Sequence, residues 1–138
     1  MRLKDETQMN LLRESGKRLE KVMRKVAEAV RPGISTFELD VIAERAIRQL
    51  ESEPVFKGYG KEYGKPFPAS ICTSINDEVV HGIPKKTRIL QEGDLVKIDM
   101  GLRYRGMVTD MARTFAIGDV SSEAACLARV TEESLLRG

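Results

Sequence analysis

The alternation in "KIDMGLRYRGMVTDMARTF" (residues 97–115) limits the fold more than any other stretch of the chain. Two runs with period-two apolar spacing, joined by a short turn, describe an antiparallel hairpin with one face on a core. A turn centred on Tyr104 and Arg105 places Ile98 opposite Met111 and Leu102 opposite Met107. The other face then carries Lys97, Asp99, Gly101, Val108, Asp110 and Ala112. The same register sets Asp99 directly opposite Asp110, and like charges facing across a ladder are destabilising. Two arrangements would relieve this. Lys97 and Arg103 would neutralise the pair on a solvated face, or both carboxylates would share a divalent cation, with the small Gly101 and Ala112 leaving room for an ion and a substrate. A bulge at Gly106 would shift the pairing.

Around the hairpin the chain reads as one α+β domain spanning residues 1–138. Apolar residues at Leu12, Leu19, Val22, Met23, Val26, Ala27 and Val30 form one stripe of a helix over residues 10–30, which "RPG" ends. Ser35 and Glu38 have capping-box spacing, and a second helix follows to about Leu50. Residues 53–68, rich in Gly, Pro and Tyr, read as a long ordered loop. "SICTSI" is a strand, "PKKTRILQEGD" a surface connection, and a third helix starts near Ser122.

Composition removes several functional classes. The net charge of +2 is too mild to make nucleic acid the main partner, and no DNA is expected. No apolar run approaches a membrane span, and "MRLKDETQMN" lacks a signal segment, so a cytoplasmic protein with no membrane partner is expected. Cys72 and Cys126 form no CxxC and read as free thiols.

His81, the only histidine, sits in "NDEVVHGIP" beside Gly82, which permits close backbone approach. An imidazole there would polarise a peptide carbonyl or carry a proton near neutral pH. It would equally serve as an ordinary exposed or structural histidine. Cys72 reads as a small buried apolar residue. A Cys72–His81 nucleophile pair lacks the electropositive setting that would lower the thiol pKa.

The order "FPASICTSINDEVVHGIP", "GDLVKIDMG", "VTDMARTF" resembles type I methionine aminopeptidases over essentially the whole chain. The resemblance implies an α+β fold, half of a pita-bread (creatinase/aminopeptidase-like) architecture, with an antiparallel sheet and two long helices packed on one face. It implies a metallo-exopeptidase that removes the initiator methionine from nascent polypeptide N-termini with two divalent metal ions (Co, Mn, Fe or Zn) per complete site. Asp99 in "KIDMG" and Asp110 in "TDMARTF" match metal ligands, and His81 in "VVHGIP" matches a catalytic residue on the substrate side. Cys72, Phe67 and Tyr59 match the methionine pocket, although "KEYGKP" between "GYG" and "FPAS" is longer than the common bacterial pattern.

In that family a second half supplies a histidine and two glutamates to the metals and another substrate-side histidine. No histidine follows His81, so the chain is expected to hold two of five metal-ligand positions, as a half-length chain. Three readings follow: a half-domain inactive alone, an isologous homodimer that brings two copies of Asp99 and Asp110 together, or a non-catalytic ribosome-associated module of the same fold. For the last, Lys85, Lys86 and Arg88 would touch ribosomal RNA. A proline-specific aminopeptidase is a related alternative, and "FPASICTSIN" and "HGIP" favour the methionine enzyme.

Overall fold

The computed structural model describes residues 5–138; the expectation placed on "MRLKDETQMN" falls in part on residues 1–4, which lie outside the described residues. Helix α1 (Glu6–Ala29) starts at Asp5, whose side chain accepts the Gln8 N–H at 2.8 Å. Its buried positions, Ser15, Leu19, Val22, Met23 and Val26, recur at helical spacing and form the stripe that meets the sheet. Helix α2 (Thr36–Gln49) starts at the Ser35–Glu38 capping box, in which each residue's side chain accepts the other's backbone N–H.

The sheet is organised by β3 (Leu95–Tyr104). One edge of β3 pairs antiparallel with β2 (Ile71–Ile75) and with the short β1 (Glu53–Pro54). The other pairs along its full length with β4 (Met107–Ala116). Even-numbered residues of β3, from Val96 to Tyr104, are all buried against α1 and α2, while Asp99 and Lys97 on the opposite face are only partly covered. Ser15 of α1 pins the helix to β4 through Met107 O (3.2 Å) and the Thr109 hydroxyl (2.9 Å). Helix α3 (Ser122–Arg137) buries none of its residues.

The hairpin register differs from the expected one. Tyr104 pairs with Met107, and the turn is Arg105–Gly106, with φ of 46° and 82°. A two-residue turn that follows the strand twist needs both central residues at positive φ, and glycine takes the second without strain. The ladder runs unbroken from Leu95–Ala116 to Tyr104–Met107, without a bulge at Gly106. Asp99 therefore lies opposite Ala112, and Asp110 opposite Gly101. Ile98 pairs with Arg113 and Leu102 with Thr109, in place of Met111 and Met107.

"PKKTRILQEGD" also does more than cross the surface. Leu90 is buried, and Gly33, Ile34 and Thr36 exchange backbone hydrogen bonds with Leu90 and Arg88. The long loop holds β1 and a 3-10 turn, Lys61–Tyr63. No described helix is long and apolar enough to cross a membrane.

The two faces of the hairpin carry different weight. Ile98→Ala, in a fully buried position, is expected to cost about 2–5 kcal/mol of unfolding free energy in urea titration. Val108→Ala, on the open face, is expected to cost less than about 0.5 kcal/mol.

Candidate metal and substrate site

Of the residues singled out by sequence, Asp99, Asp110 and Cys72 share the open face of β3, and His81 lies near Asp99. Asp99 is flanked in the sheet by Cys72 of β2 and Ala112 of β4. Asp110 is one step along β4 on the same face, diagonal to Asp99. Diagonal neighbours in an antiparallel pair lie about 7–8 Å apart at the backbone, and the Asp110 charge is felt at Asp99. The pair thus escapes the direct juxtaposition that its sequence spacing suggests.

The carboxylates are still not at ease. Burial, and then the charge of Asp110, raise the Asp99 pKa, opposed by the nearby His81. Burial also raises that of Asp110. Lys97 and Arg103 do not neutralise them. Lys97 Nζ donates to Asn76 O at 2.5 Å, and Arg103 lies 3.4 Å from Glu53. Among the described residues neither aspartate has an ion-pair partner. Among the described residues Asp99 Oδ1, shielded from solvent, has no hydrogen-bond partner. A buried carboxylate oxygen without a partner is costly, and a cation is the partner that two anionic oxygens on one face would accept. The donor set therefore fits a divalent ion, but incompletely. Among the described residues no three His, Cys, Asp or Glu side chains gather as a metal site.

Gly101 does not leave open room for an ion. A Cβ there would stand 2.6 Å from Val55 Cγ2 and 3.2 Å from Phe56, so these side chains fill the space above it. Ala112 is exposed and keeps its side of Asp99 open. Val55 and Phe56, which frame this end of the site, carried no signal in the sequence beyond their place at the start of the long loop.

Cys72 is buried, and its thiol is pushed up to about 11, first by burial and then by Asp99 and Asp110. It remains a neutral thiol, which removes the Cys72–His81 nucleophile pair. Phe67 is half-buried, and its backbone is tied to the loop by Gly58 N–H to Phe67 O and Phe67 N–H to Tyr59 O, both 2.8 Å. The Tyr59 side chain is 74% exposed. The loop rejoins the sheet where buried Asp40 of α2 accepts the N–H groups of Ser70 (2.7 Å) and Ile71 (3.2 Å). His81 is exposed, at a left-handed φ of 60°. Of the basic residues considered for RNA, Arg88 is paired with Glu78 at 2.6 Å, and Lys86 lies over the Phe37 ring.

Comparison with known proteins gives this geometry a context. The family model described as metallopeptidase family M24 matches residues 10–138. A methionine aminopeptidase of Clostridium acetobutylicum is 46% identical over 99% of this chain and 52% of its own length. Methionine aminopeptidase 1 of Bacillus subtilis is 41% identical over 95% of the chain and 50% of its own. The crystal structure of methionine aminopeptidase from Thermotoga maritima superposes with a TM-score of 0.93 at 31% identity, covering 99% of this chain and 53% of that one. An Xaa-Pro dipeptidase from Bacillus anthracis, at 21% identity and a TM-score of 0.79, shares the fold. The chain spans about half the length of the curated relatives it matches. The α+β architecture is that of half a pita-bread fold.

The raised Asp99 pKa fixes the sign of a stability effect. The native state holds the Asp99 proton to higher pH than the unfolded chain does. Stability therefore falls as pH rises from the ordinary aspartate range through the raised native value. Without metal, Asp99→Asn is expected to raise Tm at pH 7 by about 2 °C, from relief of a part-buried charge and of its like-charge neighbour Asp110. The gain should vanish below about pH 3.5, where both states are protonated. Differential scanning calorimetry across that range checks it.

Proposed function

The chain belongs to metallopeptidase family M24, and from that premise we propose that it carries the two-aspartate side of a methionine aminopeptidase site. The observation that carries this reading is the shielded, unpartnered Oδ1 of Asp99, with Asp110 on the same face and, among the described residues, no ion pair to either carboxylate. Asp99 and Asp110 would hold divalent cations, and an oxygen donor set accepts manganese, cobalt, iron or zinc. Two ions would be held once further ligands complete the shell. When bound, such ions supply Lewis acidity toward a carbonyl oxygen and make water acidic.

The chain's own residues then divide the remaining work. His81, exposed and close to Asp99, would donate a hydrogen bond to the peptide carbonyl next to the scissile bond and keep the substrate in line. Cys72, held as a neutral thiol, and the half-buried Phe67 would form a soft apolar wall for an unbranched thioether side chain. Val55 and Phe56 close the space over Gly101 and would exclude water from that end. The substrate would be the N-terminal methionine of a nascent polypeptide. The relatives named as methionine aminopeptidases favour this over the proline-specific enzymes, which share the fold at lower identity. We take residues 1–138 as one domain of that site, working in the cytoplasm.

Mn²⁺ at about a hundred times its dissociation constant is expected to add about 2.7 kcal/mol to the unfolding free energy. At the same concentration Asp99→Asn and Asp110→Asn are each expected to lose most of that gain. Thermal melts with and without Mn²⁺, run beside hydrolysis of a Met-Ala-Ser peptide, form the test. Any Mn²⁺-dependent turnover should disappear in Asp99→Asn. A wild-type melt indifferent to Mn²⁺, Co²⁺, Fe²⁺ and Zn²⁺ would sink the proposal.

A further inference from the structure

The segment that carries His81 is sewn to β2 by two hydrogen bonds. Thr73 N–H donates to Gly82 O at 2.8 Å, and Gly82 N–H donates to the Ser74 hydroxyl oxygen at 3.1 Å. The approach is tight: a Cβ on residue 82 would stand 2.2 Å from Thr73 O and 2.9 Å from Ser74 Cα. Immediately before this seam, His81 holds φ 60°, a conformation that a side chain with a Cβ leaves readily unless its neighbours fix it. Ser74 is itself buried and sits opposite Lys97, on the same face of β2 as Cys72. The start of the segment is fixed separately. Ile75 N–H donates to Glu78 at 2.9 Å, and Glu78 pairs with Arg88 at 2.6 Å. Of the two bonds at the far end, one is an ordinary backbone pairing. The other depends on a side chain, and that side chain is Ser74.

We propose that Ser74 is a positioning residue: by accepting the Gly82 N–H it locks His81 in the left-handed conformation and holds the imidazole beside the Asp99–Asp110 face. The proposal rests on the metal-site reading only in naming what the imidazole faces. The lock itself is a property of the metal-free chain.

Because His81 is the only histidine, its ring protons give separate NMR signals. With Mn²⁺ added, wild type and Ser74→Thr should show strong paramagnetic broadening of those protons and of the amides around Asp99 and Asp110. In Ser74→Ala the ring broadening should fall at least threefold while the amide broadening persists, since the effect decays steeply with distance. Without metal, the one-bond Cα–Hα coupling of His81 should keep its positive-φ value in wild type and Ser74→Thr and lose it in Ser74→Ala. A positive-φ coupling retained in Ser74→Ala, or lost equally in Ser74→Thr, would overturn the proposal. If Mn²⁺ broadens neither the ring nor the aspartate amides in wild type, the cation-site reading fails, and the metal-free coupling still decides the role of Ser74.

Discussion

Among the described strands, β3 alone pairs with all the others, so its register fixes where every site residue stands. Pairing with β2 puts Cys72 beside Asp99, and pairing with β4 puts Ala112 on the other side and Asp110 on the diagonal. The helices then anchor this strand from one face only. The buried row Val96, Ile98, Met100, Leu102 and Tyr104 packs under α1 and α2, so the alternate row, with Asp99 in it, cannot turn inward. A slip of one residue would send the aspartates into the core. The hydrophobic energy of the buried row therefore enforces the placement of two uncomfortable charges.

That discomfort is what the proposed cation would relieve. Burial and the charge of Asp110 disfavour the ionised form of Asp99, and among the described residues no ion pair compensates and one of its oxygens has no hydrogen-bond partner. Sites that concentrate unrelieved charge on a rigid sheet are poised for a ligand of opposite charge, and rigidity keeps the cost from being relaxed away. Lys97 and Arg103, the obvious local remedies, are turned to Asn76 and Glu53 instead. The site is nonetheless partial. Among the described residues two carboxylates on one face do not by themselves complete a coordination shell.

Much of this was legible in the chain. The helical stripe of α1, the Ser35–Glu38 box and the alternation on either side of Arg105 rest on periodicity and local hydrogen bonding, which need no tertiary information. The observed register differs from a Tyr104–Arg105 turn by two residues on β4, so the faces are kept while every partner changes. The cue lay in Gly106, whose tolerance of positive φ marks the second turn residue. Other features depend on contacts between segments and leave no local pattern. Val55 fills the space above Gly101, buried Leu90 donates its N–H to Ile34 O, and Ser74 holds Gly82. The role of Gly82 lies between these cases. A glycine beside the lone histidine signals a close approach, but not which strand it approaches.

The central claim is that Asp99 and Asp110 share a divalent cation on the open face of the β3–β4 hairpin. A crystal of the chain grown with Mn²⁺ and measured near the manganese absorption edge tests it most directly. The account predicts an anomalous peak within about 2.0–2.6 Å of oxygens from both carboxylates. Ordered, well-resolved Asp99 and Asp110 with no peak between them, or manganese bound elsewhere on the chain, would contradict it.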